Sequence, residues 1–413
     1  MAPRIAYLLK KFPRLSETFV LGEMLAQETL GAELHVFSRR TPDDEPRHAE
    51  LARLRAPVEL LPSSLDPWRE LFDTNSGAGE LLARVRDVHE RFAPLGLPKF
   101  ASLLAEALWL LRRTRELGIE HVHVHFATDS AVTAMLLHEL GGPPFSVTAH
   151  AKDIYRTSVS AAQLRALLEH SAFVVTVCDA NVEHVRGLVG AEAARKLRRH
   201  YNGIDIASFA TLRRTPIARR VLSIGRLVEK KGFDVLIDAL AAMKARGSDF
   251  SAVIAGDGED RERIAQRVAE RGLNECVQLV GAVPLERVRA LLCEAEVLCL
   301  PCKVGDDGNR DALPTVLLEA QAAGVPCIST PVGGVAEILD HGRAGVLVAE
   351  NDAAATAQAI ERMFADAALR DAIAAAGRAR AASMFDAHVQ SRTLRRWFDE
   401  SIAVTEASCA SLT

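Results

Sequence analysis

The chain has 413 residues, past the length at which one hydrophobic core usually stops growing, so two domains are expected rather than one. Hydrophobic residues make up 49% and charged residues 25%, which excludes a disordered or repetitive chain, and with aromatics at 5% a ligand cannot be held by ring stacking alone. A net charge of −4 excludes a global positive field for gathering nucleic acid, so no polynucleotide partner is expected.

The first apolar run, 4–9, is too short for a signal peptide and lacks a small-residue cleavage site, so it reads as a buried strand. No stretch approaches the ~18 uninterrupted apolar residues of a membrane span, and a cytoplasmic protein is expected. From there, short apolar runs alternate with helix-period segments to the end of the chain, the pattern of β-α-β units on parallel sheets. After the first strand comes Lys11-Phe-Pro-Arg-Leu-Ser-Glu-Thr-Phe19, where Ser16 can cap a helix with Glu17 in its first turn. A second strand is expected over 33–38. The irregular segment 62–98 leads into an apolar-faced helix over 100–117. This insertion is a candidate acceptor-side or membrane-surface element, against the simpler reading of helices packed on the sheet.

Strands over 121–125 and 145–149 carry His123, His125 and, just beyond, His150, followed three residues later by Asp153; His150 and Asp153 can both point into a cleft. Carboxylate geometry for a metal is not evident, so no metal site is assigned. A strand over 173–178 closes the first half, and the polar, proline-containing stretch 211–219 is read as the domain linker and hinge.

The second half offers strands over 220–224, 251–255, 277–280, 297–300, 327–329 and 345–348. Loops after strand carboxyl ends line the crevice of open parallel sheets, and three of them are unusual. In Ser223-Ile-Gly-Arg-Leu-Val-Glu-Lys-Lys-Gly232, Gly225 and Gly232 bracket two cations, Arg226 and Lys231, ahead of a helix, an arrangement suited to a diphosphate. A solvated charge run is the bland alternative. In the stretch 305–324, Pro314 stands near the first turn of a helix whose free N–H groups face a polar loop, Glu319 can reach back to a vicinal hydroxyl pair such as a ribose, and Asp311 can meet the sugar. In Pro331-Val-Gly-Gly-Val-Ala-Glu337 two glycines would admit a ligand closely. Gly256-Asp-Gly258 is half a dinucleotide fingerprint, read as a turn near the base of the sheet. Cys299 and Cys302 end an apolar run instead of opening a helix, so they read as reduced, partly buried thiols.

In order and spacing, Pro13-Arg-Leu-Ser-Glu-Thr-Phe19, His123-Val-His-Phe126, Thr148-Ala-His150, Tyr201-Asn-Gly-Ile-Asp205, Gly225-Arg-Leu with Lys231-Gly232, and Leu313-Pro-Thr-Val-Leu-Leu-Glu-Ala320 resemble the retaining glycosyltransferases of family 4 (glycosyl transferases group 1), of the colanic acid and exopolysaccharide type. The resemblance implies an α/β fold of GT-B type, two Rossmann-like doubly wound domains facing across a cleft. The expected division is 1–212 for the acceptor side, 213–385 for the donor side, and 386–413 as a helix crossing back. It implies transfer of a hexose from a UDP- or GDP-sugar to a saccharide or lipid-linked hydroxyl, with peripheral contact at the inner face of the membrane. Gly225, Arg226, Lys231, Asp311, Ala312, Leu313, Pro314, Thr315 and Glu319 would hold the donor, with Arg226 and Lys231 at the diphosphate and Glu319 at the ribose. His150 would stand by the transferred sugar, and Ser16, Glu17, Thr18, His125 and Asp153 on the acceptor side. The family usually has glutamate where this chain has Asp311, which keeps the charge and shortens the reach. No cofactor is required, and a need for magnesium is left open. The rivals are a nucleotide-sugar epimerase of the same architecture, a non-catalytic sugar-nucleotide-binding module, and a nicotinamide dehydrogenase, the last disfavoured because no complete G-x-G-x-x-G is present.

Overall fold

Strands whose every position is apolar or hydroxylated must be covered on both faces, which is the condition of a parallel sheet between helices. The computed structural model, which describes residues 2–14, 17–44, 49–67, 69–70, 78–97 and 99–410, meets that condition twice. The strands are β1 (Arg4–Lys11), β2 (Glu33–Arg40), β3 (Val58–Leu60), β4 (His121–His125), β5 (Phe145–Ala149), β6 (Phe173–Thr176) and β7 (Leu197–Arg199) in the first half. The second half has β8 (Arg220–Ile224), β9 (Ser251–Ala255), β10 (Val277–Gly281), β11 (Val297–Leu300), β12 (Cys327–Ser329) and β13 (Val346–Leu347). The sheet orders are β3-β2-β1-β4-β5-β6-β7 and β10-β9-β8-β11-β12-β13, and all pairings are parallel. Each order reverses beside the first strand of its sheet, at β1/β4 and at β8/β11, and crevices form outside such switch points.

The final helix, Ala387–Ala410, returns to the first sheet. Its Leu394 and Phe398 are fully buried among Ile5, Tyr7 and Phe173. Gln27 Nε2 donates to Ser391 O at 2.9 Å, and His121 Nδ1 lies 3.1 Å from Ser401 Oγ. Where the chain passes between the halves it does so twice, side by side: Ile204 bridges Asp386, and a Cβ on Gly203 would overlap Ala387.

The polar stretch 211–219 is not a free hinge. Arg214 donates to Gly324 O and to Ala295 O (2.6 Å), and the N–H groups of Thr215 and Ile217 donate to Cys293 O and Glu294 O, tying the stretch to the second domain. The insertion also departs from the membrane-surface reading. Helix Ala78–Phe92 buries Leu81, Val88 and Phe92, and helix Phe100–Leu117 buries ten residues including Leu103, Leu108 and Leu111, so their apolar faces are spent on the core. Residues 68, 71–77 and 98 of that segment lie outside the described residues. Among the described residues no helix is long and apolar enough to cross a membrane.

Candidate functional site

Strand β8 stands at the switch point of the second sheet, so the loop after it opens on the crevice. Gly225 and Arg226 leave the strand, Glu229–Lys231 make a 3-10 turn, and Gly232, at φ 68°, starts helix Phe233–Ala245. Only glycine fits there, because a Cβ would collide with Pro301 O. The turn aims two lysines at one carboxylate: Lys230 Nζ lies 2.8 Å from Asp311 Oδ1, and Lys231 Nζ pairs with Oδ2. Burial works to raise the Asp311 carboxyl, and the charges and hydrogen bonds of Lys231 and Lys230 outweigh it, holding the group at about 2. Asp311 thus stands buried with both oxygens engaged, not free in its loop. Arg226 is exposed and forms no ion pair among the described residues.

Opposite this turn begins helix Thr315–Ala323. Pro314 occupies its N-cap, one place before the first helical residue, with Ala312 and Leu313 buried behind it and Thr315 exposed at the tip. The first N–H groups of a helix have no partner within it, so the tip offers donors. Gly333 and Gly334 admit protein where a ligand was expected: Gly334 N–H donates to Ala312 O at 2.7 Å, and Cβ atoms at the pair would overlap the Asp311 and Ala312 carbonyls. Gly256 and Gly258 likewise pack on Gly225 O and Leu227 O, at the carboxyl end of β9 and so at the rim of the crevice, not at its base. Glu319 is half-buried; burial pushes its carboxyl up to about 7, partly offset by the Arg289 charge. Arg289 Nε, on helix Leu285–Glu294, is buried without a hydrogen-bond partner among the described residues.

On the first domain, β4 and β5 carry the histidines. His150 is half-buried at the start of the short helix Ala151–Ile154, its ring centroid 4.5 Å from Phe126 and 5.0 Å from Phe19. Phe126 holds φ 75°, a left-handed conformation uncommon for a bulky residue and a mark of constraint. His125 Nδ1 lies 3.3 Å from His150 Nε2, and His125 Nε2 lies 3.2 Å from Glu23 Oε1. Asp153 does not point into the cleft: its Oδ2 accepts from Ala127 N (3.0 Å) and His150 N (3.1 Å), and burial pushes its carboxyl up to about 6 against those bonds. Helix Thr18–Thr29 starts with Glu17 at its N-cap, without a side-chain cap; Glu17 instead accepts from Arg14 at 3.0 Å. Ser16 lies outside the described residues, and Thr18 is the first helical residue.

The two faces touch. The loop that carries Asp311 lays Arg310 over the Tyr155 ring at 4.3 Å and pairs Asp307 with Arg156 at 3.3 Å, just past the helix that His150 opens. Glu337, at the end of the glycine loop, accepts from Asp179 N (2.8 Å), Ala180 N (2.9 Å) and Tyr201 Oη (3.0 Å) of the other domain. Cys299 and Cys302 are fully buried thiols, and burial pushes Cys302 up to about 12.

Sequence reasoning missed Lys230, Arg289, Glu23 and Glu337. Lys230 was visible as the neighbour of Lys231. Glu23 and Arg289 lie on helix interiors with no local signature, and Glu337 acts only through the other domain.

Residues 16–208 match the family model described as Glycosyltransferase Family 4, and residues 212–380 that of Glycosyl transferases group 1. The putative colanic acid biosynthesis glycosyltransferase WcaL of Escherichia coli K12 is 26% identical over 368 residues, covering 86% of this chain and 89% of that protein. The amylovoran biosynthesis glycosyltransferase AmsK of Erwinia amylovora is 27% identical over 417 residues, covering 95% and 98%. Among solved structures, a glycosyltransferase from Rickettsia africae ESF-5 covers 97% of this chain and 99% of its own at a TM-score of 0.74 and 16% identity. Anabaena Alr3699/HepE in complex with UDP and glucose covers 95% and 98% at 0.69 and 17%.

Proposed function

The chain belongs to the family 4, group 1 glycosyltransferases, and from that premise we propose that it moves a hexose from a UDP- or GDP-sugar to a hydroxyl of a saccharide or lipid-linked saccharide in exopolysaccharide assembly. The observation that carries the donor reading is the turn after β8, where exposed Arg226 stands beside Lys230 and Lys231 across from an open helix N-terminus. Charge develops on the diphosphate as the bond from the anomeric carbon to its oxygen breaks. Arg226, Lys231 and the helix N–H groups meet that charge where it forms, and one such fixed partner is typically worth ~10²–10³ in rate. The acceptor oxygen then bonds the anomeric carbon on the face the leaving group vacated, giving retention, and its proton passes to the departing phosphate. Glu319 accepts from the ribose hydroxyls, and His150 lies by the transferred sugar. The names of WcaL and AmsK support an exopolysaccharide product, and the UDP and glucose in HepE support a nucleotide-sugar donor.

A lipid-linked acceptor at the inner face of the membrane is supported by an apolar hollow of about 330 Å³ at the carboxyl ends of β1, β2 and β3. Phe12, Leu51, Leu54, Val58 and Leu60 line it, with Lys11 and Arg14 next along the chain. Because side chains balance the diphosphate charge here, transfer should persist in EDTA.

Calorimetry with UDP-, GDP-, ADP- and TDP-sugars on wild type and Arg226→Ala tests the assignment. One donor class should bind the wild type and be lost by the variant. Binding of none, or equal binding by both proteins, would remove the diphosphate from this turn. Turnover without an acceptor to an epimerised sugar would favour the epimerase.

A further inference from the structure

The carboxyl edge of the first sheet gathers cations that its carboxylates do not balance. Lys152, in the short helix that His150 opens, is exposed, and its Nζ lies 3.9 Å from the centroid of the Phe126 ring. The His150 ring stands 4.5 Å from the same ring, so one constrained aromatic holds the ammonium beside the residue placed by the transferred sugar. Lys152 forms no ion pair among the described residues. The carboxylates near it are engaged elsewhere: Asp153 Oδ2 accepts from two backbone N–H groups, Glu17 accepts from Arg14 at 3.0 Å, and Asp43 pairs with Lys11.

Two further cations share this edge. Strands β1 and β4 run side by side with Tyr7 level with His123, so Lys10, three residues on, comes level with Phe126. Lys10 is exposed and likewise unpaired among the described residues. Arg14 Nε is buried without a hydrogen-bond partner among the described residues, with Asp43 Oδ2 4.0 Å away. A buried guanidinium N–H is costly to leave unpaired, and an anionic oxygen satisfies it best. Partial burial works to lower the Lys152 pKa; the Asp153 and Glu17 charges oppose that, and those of Arg14 and Lys10 add to it. Like charges that repel one another in this way cost stability, and a bound anion removes the cost.

We propose that Lys152, with Lys10 and Arg14, is a specificity-determining site for an anionic group on the acceptor, a phosphate or a carboxylate next to the hydroxyl that attacks beside His150. Phe12 and Pro13 of the apolar hollow lie between Lys11 and Arg14 in the chain, so the cluster joins the hollow to His150. A neutral acceptor of the same shape leaves these cations unpaired and is held less tightly. The phosphate linker of a lipid and an acidic sugar both carry the required chemistry.

The inference rests on the transferase reading for the acceptor's role, but its first measurement needs no turnover. In protein labelled with ¹³C-lysine, the Cε–H signal lost in Lys152→Gln is that of Lys152. Octyl phosphate or methyl glucuronide should shift that signal saturably, and their neutral counterparts, octyl glucoside and methyl glucoside, should not. A shift with octyl phosphate alone assigns the charge to a lipid's linker, and one with the glucuronide alone to an acidic sugar. The Lys10 signal, which survives in Lys152→Gln, should then need about tenfold more ligand to move. No shift from either anion, or equal shifts from the neutral counterparts, overturns the proposal. In turnover with an anionic acceptor, Lys152→Gln should raise the acceptor KM about tenfold while the donor KM stays within about threefold, and Lys152→Arg should recover most of the loss. A rise in the donor KM instead would place Lys152 at the donor's phosphates and also overturns the proposal. Absence of transfer from any nucleotide-sugar, with the lysine shifts present, would sink the functional reading alone.

Discussion

Glu319, raised to about 7, is close to half-protonated at neutral pH. Only the ionised carboxylate offers all its lone pairs to a pair of vicinal hydroxyls, so a donor ribose held at Glu319 as proposed must draw it into that form and release a proton. Donor affinity should therefore climb as pH rises through about 7 and level off above it. One unit below, about one molecule in ten is ionised, and Kd should be about tenfold weaker. Calorimetry at about pH 6, 7 and 8 reads that slope, and Glu319→Gln should flatten it; a slope that survives in the variant would place the titrating group elsewhere. For folding the sign is opposite. The folded chain keeps this proton longer than the unfolded one, so stability is lost as pH rises from the ordinary carboxylate value to about 7.

Asp311 gives a second test at the same scale. Asp311→Asn leaves Lys230 and Lys231 without a counter-charge and should cost about 2 kcal/mol of stability. A nucleoside diphosphate replaces the missing charge, so it should raise the Tm of the variant by more than that of the wild type. Equal shifts would mean that the lysines do not face the donor. Of this arrangement the sequence shows Arg226 and Lys231 as cations between glycines, because strand, turn and helix are local. It does not show that Asp311 clamps Lys230 and Lys231, since that pairing is made by two loops that meet only when β8 and β11 become neighbours.

At the scale of elements, the turn into helix Phe233–Ala245 is set by Gly232. Gly232→Ala adds a left-handed backbone penalty to a collision with Pro301 O, so it should destabilise by about 2 kcal/mol or more and displace both lysines. Chemical denaturation measures the first effect and donor calorimetry the second; a fully stable variant with intact binding would show that the turn is not what orients them. Eleven of the thirteen strands are legible as apolar runs. The two that are not, β3 and β7, are three-residue edge strands, paired on one side only and rich in charge: Val58–Leu60 contains Glu59, and Leu197–Arg199 contains two arginines. Helix starts were legible to within a residue or two, as Glu17 and Pro314 show. A polar residue near a helix end can cap it or bond elsewhere, and Glu17 bonds Arg14.

At the scale of the molecule, the stretch 211–219 is polar partly for a reason the sequence cannot display: Arg214, Arg219 and the Thr215 and Ile217 N–H groups bond the second domain. The passage between domains lies instead where Ile204 runs beside Asp386, and near it Glu337 makes three hydrogen bonds to the other domain. One carboxylate there accepts two N–H groups at the start of helix Asp179–Val189, where the helix dipole favours an anion, and the Tyr201 hydroxyl as well. Glu337→Ala strips all three of their acceptor. If the domains stayed docked, the buried Tyr201 hydroxyl would be left unpaired at about 1–3 kcal/mol, with two part-buried N–H groups beside it, more than a small shift of the domains would cost. The variant should therefore open: its radius of gyration in solution scattering should increase, and the Asp179 and Ala180 amides should exchange faster than in the wild type. The same loop reaches the proposed donor site through the Gly334 to Ala312 hydrogen bond, so a bound nucleotide-sugar should restore part of the compaction. Unchanged scattering and exchange would mean that the crossing helix Ala387–Ala410, and not Glu337, holds the domains in register.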